Sequence, residues 1–284
     1  MLRAVRLAAN LGFEIDPDTL AAIQAHCVEI REVSAERIAE ELTRMLTLGG
    51  AGQGMRLLEQ TGLLKQILPE VAAMKGVSQP LKFHPEGDVW THTLKMLDMM
   101  TCPADDRLAW GVLLHDVGKP DVWKEDERGI HFNGHAQQGV VLGEKILRRL
   151  KFSRADMELV LSLIRCHMIF INVREMRPSR LKRLLRISSF DLYLELHRLD
   201  CLGSHGNLDT YEYCRQKREE WTAEKLKPPP LLTGDDLIKM GFPRGEIYRE
   251  ILLAVENAQL NESIKTTEEA RRLVMKRWSH LIPS

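Results

Sequence analysis

The chain has no Cys-x-x-Cys pair, no net charge and no run of eighteen apolar residues, and each absence closes off a class of protein. Its five cysteines, Cys27, Cys102, Cys166, Cys201 and Cys214, are odd in number and unpaired in spacing. That usage fits reduced thiols packed as core filler in a cytosolic protein. At 284 residues the chain is long enough to bury a large core without disulfide staples. Forty Lys and Arg cancel forty Asp and Glu, which excludes wholesale electrostatic attraction to nucleic acid or an anionic membrane; any such contact must be local. The first residues, Met1-Leu-Arg, open a helical pattern instead of a charged segment with an apolar core and a small-residue cleavage site. The protein is therefore expected to be cytoplasmic, neither exported nor membrane-spanning.

Period-2 alternation is scarce too, whereas apolar residues recur at spacings of three and four along most of the chain. The expected fold class is all-α. Ser34 is placed as an N-cap, with Ile38, Leu42, Met45 and Leu46 following on one face. The stretch Gly49-Gly-Ala-Gly-Gln-Gly54 lacks the Gly-Lys-Ser/Thr ending of a phosphate loop and reads as a plain connector. Pro69 with Gly76-Val-Ser-Gln-Pro80 marks one boundary, and Lys227-Pro-Pro-Pro230, which cannot continue a helix, marks another. These divide the chain into an N-terminal helical unit (1–76), a central unit (77–226) and a C-terminal unit of two or three helices (227–284).

The central unit carries the chemistry. His92 shares a helical face with Val89, Met96 and Met100 and so points inward, where a histidine is either a hydrogen-bonded core residue or a ligand. In Val112-Leu-Leu-His-Asp-Val-Gly-Lys-Pro120 an apolar helix ends in adjacent His115 and Asp116, with Gly118 as its expected stop. The negative end of a helix dipole repels a carboxylate by up to about 1 kcal/mol, so Asp116 calls for a positive partner, either a metal ion or an arginine. His135 begins a helix, an end that disfavours a cation and suits a neutral imidazole offering its lone pair. Ser153 caps a helix that sets His167 inward with Val160, Leu163 and Ile164. Asp200 shares a stripe with Leu192 and Leu196, and a buried carboxylate demands a cation or a proton. Nitrogen and oxygen donors without thiolates suit one or two divalent ions among Fe, Mn, Co, Ni, Mg and non-structural Zn.

The pattern His92, His115-Asp116, His135, His167, Asp200 resembles the HD-domain phosphohydrolases over about 110 residues. The resemblance implies that His92, His115, Asp116 and Asp200 bind one metal, that His135 and His167 accompany a second, and that Asp116 bridges them. Met1 to Ile15, Val33-Ser-Ala-Glu-Arg37, His84-Pro-Glu-Gly-Asp-Val-Trp-Thr-His92 and Leu232-Thr-Gly-Asp-Asp236 are similar to the neck, HD and C-terminal regions of class II tRNA nucleotidyltransferases and bacterial poly(A) polymerases. The catalytic head of that family, with its Gly-Ser motif and paired aspartates, has no counterpart in this sequence, so nucleotide addition by this chain alone is not expected. Arg3 and Arg6 are similar to neck arginines of the family, but without the head they are read as a solvated helix face.

The implied activity is hydrolysis of phosphoesters in nucleotides, 2',3'-cyclic phosphates or RNA ends, with metal-activated water attacking phosphorus at Asp116's centre. Lys119 is placed to meet a phosphate as a point charge, or is a surface lysine after a helix end. Arg174, Arg177, Arg180, Lys182, Arg183 and Arg186 form a basic strip with Glu175 the one acid among them, either a solvated face or a guide for an anionic substrate through Arg177, Arg180 and Arg183. The rival reading is a tRNA- or RNA-binding half of a split or truncated nucleotidyltransferase, against which near-zero net charge weighs.

Overall fold

Apolar residues at helical spacing make the helices here, and their burial follows the sequence pattern closely. The structure, a computed structural model, describes residues 1–81, 84–127 and 129–283. The first helices are α1 (Leu2–Leu11), α2 (Pro17–Ala25), α3 (Ala35–Thr47), α4 (Ala51–Gln60), α5 (Leu63–Ile67) and α6 (Pro69–Ala72). Then come α7 (Val89–Asp98), α8 (Asp106–Leu114), α9 (Lys119–Val122), α10 (His135–Arg149) and α11 (Arg154–Cys166). The last are α12 (Pro178–Leu185), α13 (Phe190–Gly203), α14 (Asp209–Glu220), α15 (Ala223–Leu226), α16 (Gly234–Lys239), α17 (Ile247–Leu260) and α18 (Thr267–Trp278). A hairpin of β1 (Lys124–Asp126) and β2 (Gly129–His131), with Lys124 opposite His131, is the one sheet among the described residues. The fold is all-α, and no helix among the described residues is long and apolar enough to cross a membrane.

In α3 the buried residues include Ile38, Leu42, Met45 and Leu46, the face the spacing predicts, and each such side chain contributes about 1.5–3 kcal/mol on leaving water. Ser34 occupies the N-cap position, but its side chain makes no capping hydrogen bond. Trp110 Nε1 of α8 donates to Thr43 Oγ1 of α3 at 2.9 Å, which satisfies a buried indole while tying the two helices together. Ser153 caps α11 as expected, its Oγ accepting from Asp156 N at 3.1 Å. The triple proline follows the end of α15.

The glycine stretch 49–54 is not a connector: α4 begins at Ala51 and contains Gly52 and Gly54. A Cβ on Gly52 would sit 2.1 Å from Asp98 Oδ1, and one on Gly54 2.5 Å from Met45 Sδ. Helical glycine costs about 1 kcal/mol relative to alanine, and here the absent side chains let α4 lie close against α7 and α3.

By contacts the described chain divides into two units, Met1–Phe170 with Asp191–Tyr211, and Ile171–Phe190 with Glu212–Ser284. This partition follows approach in space, whereas the three-part reading of the sequence follows turn residues along the chain. The first unit packs α1 on α3 and α4, α4 on α7, α3 and α10 on α8 and α11 in turn, around Leu42, Met55, Leu58, Trp110, Leu113 and Leu163. The second packs α12 on α17, and its C-terminal helices enclose Leu237, Ile251, Val255, Ala270, Val274 and Trp278. Capping boxes at Thr233 with Asp236 and at Thr266 with Glu269 start α16 and α18.

Candidate metal centre

All six residues of the imidazole and carboxylate pattern belong to the first unit, where they lie in or at the ends of five helices, α7, α8, α10, α11 and α13. Asp88 caps α7 by accepting from Thr91 N, which fixes the start of the helix and sets His92 one turn in, fully buried. His115 is the C-cap of α8 and His167 the C-cap of α11, while His135 is the first residue of α10. Asp200 sits in the last turn of α13, the least buried of the set, its side chain 23% exposed. Gly118 is not the stop of α8, which ends at Leu114. A Cβ there would lie 2.3 Å from His135 O and 2.4 Å from Gly139 N, so glycine lets the His115-Asp116 turn approach the start of α10.

The ligand atoms fall into two groups, each within 4.8 Å: His92, His115 and Asp200, and Asp116, His135 and His167. Asp116 lies between them. Its Oδ2 is 3.2 Å from His115 Nε2, and its Oδ1 is 3.6 Å from His135 Nε2 and 3.8 Å from His167 Nε2. Lys119 is not a surface lysine: it is 6% exposed, 2.7 Å from Asp116 Oδ2, and donates to Gln79 Oε1 at 2.6 Å.

Three of the imidazoles are oriented by the backbone. Nδ1 lies 2.8 Å from Val112 O in His115, 2.9 Å from Phe132 O in His135 and 2.7 Å from Ile164 O in His167. A carbonyl only accepts, so each Nδ1 carries the hydrogen and each Nε2 is left with its lone pair toward the centre. In His115 and His167 the acceptor is a carbonyl of the helix's own last turn, one of those a helix leaves unpaired.

The electrostatics separate the groups. Burial opposes charge on His92, but the Asp200 and Glu86 carboxylates outweigh it and raise its pKa to about 9. Burial pushes His167 down to about 4 and lowers His135 as well. Burial also works against Asp116 as an anion, yet His115 and Lys119 hold its carboxyl well below the usual range. In Asp200 burial is outweighed by His92, and this pKa too is lowered.

The donor set fits a divalent cation. His135 Nε2 and His167 Nε2 stand 3.0 Å apart, both with Nδ1 committed to a carbonyl and both with pKa values lowered. Two neutral lone pairs at that distance repel, whereas two ligands at right angles around an ion about 2.1 Å from each have this separation. His92 Nε2, His115 Nε2 and Asp116 Oδ1 are buried without a hydrogen-bond partner. Asp200 Oδ1 lies 3.1 Å from His92 Nε2 but off the N–H direction, an ion-pair contact and not a directed hydrogen bond. Buried polar atoms without partners are rare and costly in folded proteins, and here they converge.

The sequence pattern misses three residues. The Glu86 side chain has no exposure to solvent, its Oε1 is 2.8 Å from His92 Nδ1 and 2.9 Å from His84 Nδ1, and its pKa is lowered to about 2, the cost of burial being outweighed chiefly by those histidines. Gln79 is the buried acceptor for Lys119. Gly203 of α13 gives His92 its room, since a Cβ would stand 3.1 Å from His92 Cε1. Glu86 and Gln79 lie on a loop without periodicity; the closeness of Glu86 to His92 in sequence is the signal that was present.

The basic strip belongs to the second unit and is largely neutralised there. Arg183 and Arg186 share Glu256 at 2.5 and 2.8 Å. Lys182 is buried, donating to Leu260 O at 2.8 Å and pairing with Glu262 at 3.1 Å. Arg177, at the N-cap of α12, and Arg180 are exposed. Arg6, in the first unit, pairs with Glu41 at 2.5 Å.

Comparison with known proteins finds two family matches: the family described as "Probable RNA and SrmB-binding site of polymerase A" over residues 12–75, and the HD domain over residues 89–189. The Multifunctional CCA protein of Nitrosococcus oceani is 32% identical over 94% of this chain and 66% of its own length. The A-adding tRNA nucleotidyltransferase of Deinococcus radiodurans is 30% identical over 99% of the chain and 68% of its own. For the CC-adding tRNA nucleotidyltransferase of Thermus thermophilus the values are 34%, 96% and 65%. The chain thus spans about two thirds of the length of these relatives. The crystal structure of the Bacillus stearothermophilus CCA-adding enzyme in complex with CTP superposes with a TM-score of 0.66 at 20% identity, covering 99% of this chain and 62% of that one, a likeness of fold.

Proposed function

This chain belongs to the tRNA nucleotidyltransferase family, and we propose that its own chemistry is that of a metal-dependent phosphohydrolase acting on phosphoesters of nucleotides or RNA ends, 2',3'-cyclic phosphates included. The observation that carries the reading is the convergence of four imidazoles and two carboxylates, among which His92 Nε2, His115 Nε2 and Asp116 Oδ1 are buried without a hydrogen-bond partner. His92, His115, Asp116 and Asp200 would hold one ion, and His135 and His167 with Asp116 a second.

A divalent ion at such a centre brings the pKa of water toward neutrality and neutralises charge on phosphoryl oxygens. The protein's part is to keep the Nε2 lone pairs aimed inward through the backbone acceptors at Val112, Phe132 and Ile164. Asp116 stays ionised beside Lys119, and Lys119 holds positive charge at the edge of the centre, where a phosphate oxygen would be received. Arg177, exposed at the N-cap of α12, and Arg180, exposed on that helix, are the members of the strip assigned to attracting an anionic substrate. The guanidinium of Arg183 is already engaged by Glu256.

The test is hydrolysis of bis-p-nitrophenyl phosphate by metal-loaded protein. His115→Ala combined with Asp116→Ala should reduce turnover by at least about a hundredfold, since a metal ion supplies several kcal/mol of transition-state stabilisation. Far-UV circular dichroism should stay helical. Unchanged turnover would end the reading.

The match over residues 12–75 favours a second function, holding tRNA or another RNA as part of a split nucleotidyltransferase. A gel-shift titration with tRNA at two salt concentrations tests it, because phosphate contacts weaken as salt rises. Addition of CCA on mixing with a separate head would extend it.

A further inference from the structure

His92 is the one imidazole of the centre whose Nδ1 has no backbone acceptor. It sits inside α7, where Asp88 O accepts the His92 N–H and Val89 O accepts from Thr93 Oγ1 at 2.9 Å. His115 and His167 stand at helix C-termini, where spare carbonyls exist, and His135 starts α10 beside the carbonyl of Phe132. What faces His92 Nδ1 is Glu86 Oε1, 2.8 Å away, from a side chain with no exposure to solvent, an ion-pair contact off the N–H direction as that of Asp200 is at Nε2.

Burying a carboxylate is costly, and the loop that carries Glu86 is closed without it. Ser78 bridges to Asp88, Gln79 N donates to Gly87 O at 2.9 Å, and Gly76 N donates to Asp88 Oδ2 at 2.8 Å. Among the described residues Glu86 Oε1 meets the rings of His84 and His92, and Oε2 is buried without a hydrogen-bond partner. Its contact with His84 stays within the loop, and its contact with His92 is the one that reaches α7.

We propose that Glu86 is the positioning residue of the centre: its carboxylate keeps the hydrogen of His92 on Nδ1 and turns Nε2 toward His115 and Asp200. This assignment rests on the metal-centre reading given above. A carboxylate behind a ligating imidazole fixes its tautomer and makes it a better donor, and losing such a partner typically weakens metal binding about 10- to 100-fold. On the same loop Gln79 holds Lys119, so the segment from Gly76 to Asp88 carries the supports of both His92 and the cation beside Asp116.

The probe is Co(II), added to the metal-stripped full chain and followed by its visible absorption. Glu86→Gln preserves shape and removes charge; Glu86→Ala removes the contact. Both should weaken Co(II) binding about tenfold or more with unchanged helical content, and Glu86→Asp should recover part of the affinity. Long-range 1H–15N correlation of the metal-free chain, recorded above the His92 pKa of about 9 so that the ring is neutral, should show its hydrogen on Nδ1 in the wild type and a shifted tautomer in Glu86→Gln, a signal that a loop-packing role would not move. If Glu86→Ala fails to fold, Glu86→Gln decides. Affinity within twofold of wild type, or an unchanged His92 tautomer, would overturn the role of Glu86 while leaving the centre standing. A wild-type chain that takes up no Co(II) would overturn the centre and this assignment together.

Discussion

The imidazole–carboxylate centre of the first unit and the arginine-rich strip of the second are both dense in ionisable groups, yet they are satisfied in opposite ways. In the strip, Lys182, Arg183 and Arg186 meet carboxylates from α17 and the turn after it, at separations of 2.5 to 3.1 Å. In the centre, buried lone pairs face one another and several find no partner. Charge density in a sequence therefore says little about a site until the acids and bases of remote segments are set against it. Unsatisfied convergence is what distinguishes the centre.

The largest expected effect that could break this contrast comes from Lys119→Met, which removes the ammonium 2.7 Å from Asp116 Oδ2. Breaking a buried pair leaves an uncompensated charge, so the metal-free protein should lose about 3–5 kcal/mol in denaturant unfolding with chelator present. A loss under about 1 kcal/mol would mean that the imidazoles alone carry Asp116.

In the strip, Glu256→Gln should cost at most about 1 kcal/mol, because its pairs with Arg183 and Arg186 are about one third open to solvent and are screened. Phosphodiester turnover should stay at the wild-type rate. A large fall in turnover would erase the distinction between a structural strip and a functional centre.

The smallest effect sharpens the comparison with an ordinary ion pair of the first unit. Arg149 grips both oxygens of Glu70 at 2.8 and 2.7 Å. Burial raises the Glu70 pKa, but these hydrogen bonds outweigh it and the value falls below 4.5. A lowered folded pKa adds stability above the unfolded value and loses it as pH falls through the folded one. The stability difference between wild type and Glu70→Gln should be under about 1 kcal/mol and level from about pH 6 to 8, given the exposure of Arg149. It should shrink as pH falls below about 4.5, measured by urea unfolding. A difference that grew on acidification would reverse the assigned sign.

Part of the imidazole and carboxylate cluster was legible because several of its members are out of place as helix residues. Asp116 stands just past the negative end of α8, His135 starts α10, and Asp200 lies on an apolar stripe; each position costs free energy unless something else is there. Periodicity likewise exposed the faces of α3, α7 and α11. What stayed hidden depends on approach between distant segments. Gly118 was read as a stop and turned out to be a close passage beside His135, and Gly52 and Gly54 were read as a connector and lie inside α4. Glu86 and Gln79 belong to a loop where no period reports which side chain turns inward. The partners of Arg183 and Arg186 come from α17, too far along the chain for local charge counting to find.

Three of the four rings are fastened to main-chain carbonyls at or beside helix ends, the places where helices ordinarily loosen first. Fraying at α8, α10 or α11 would therefore drag a ring out of register with its neighbours, so the breathing of three separate helices is bound into one event. Whatever grips those rings is felt by the peptide backbone, and its arrival slows amide exchange at helix ends it never touches.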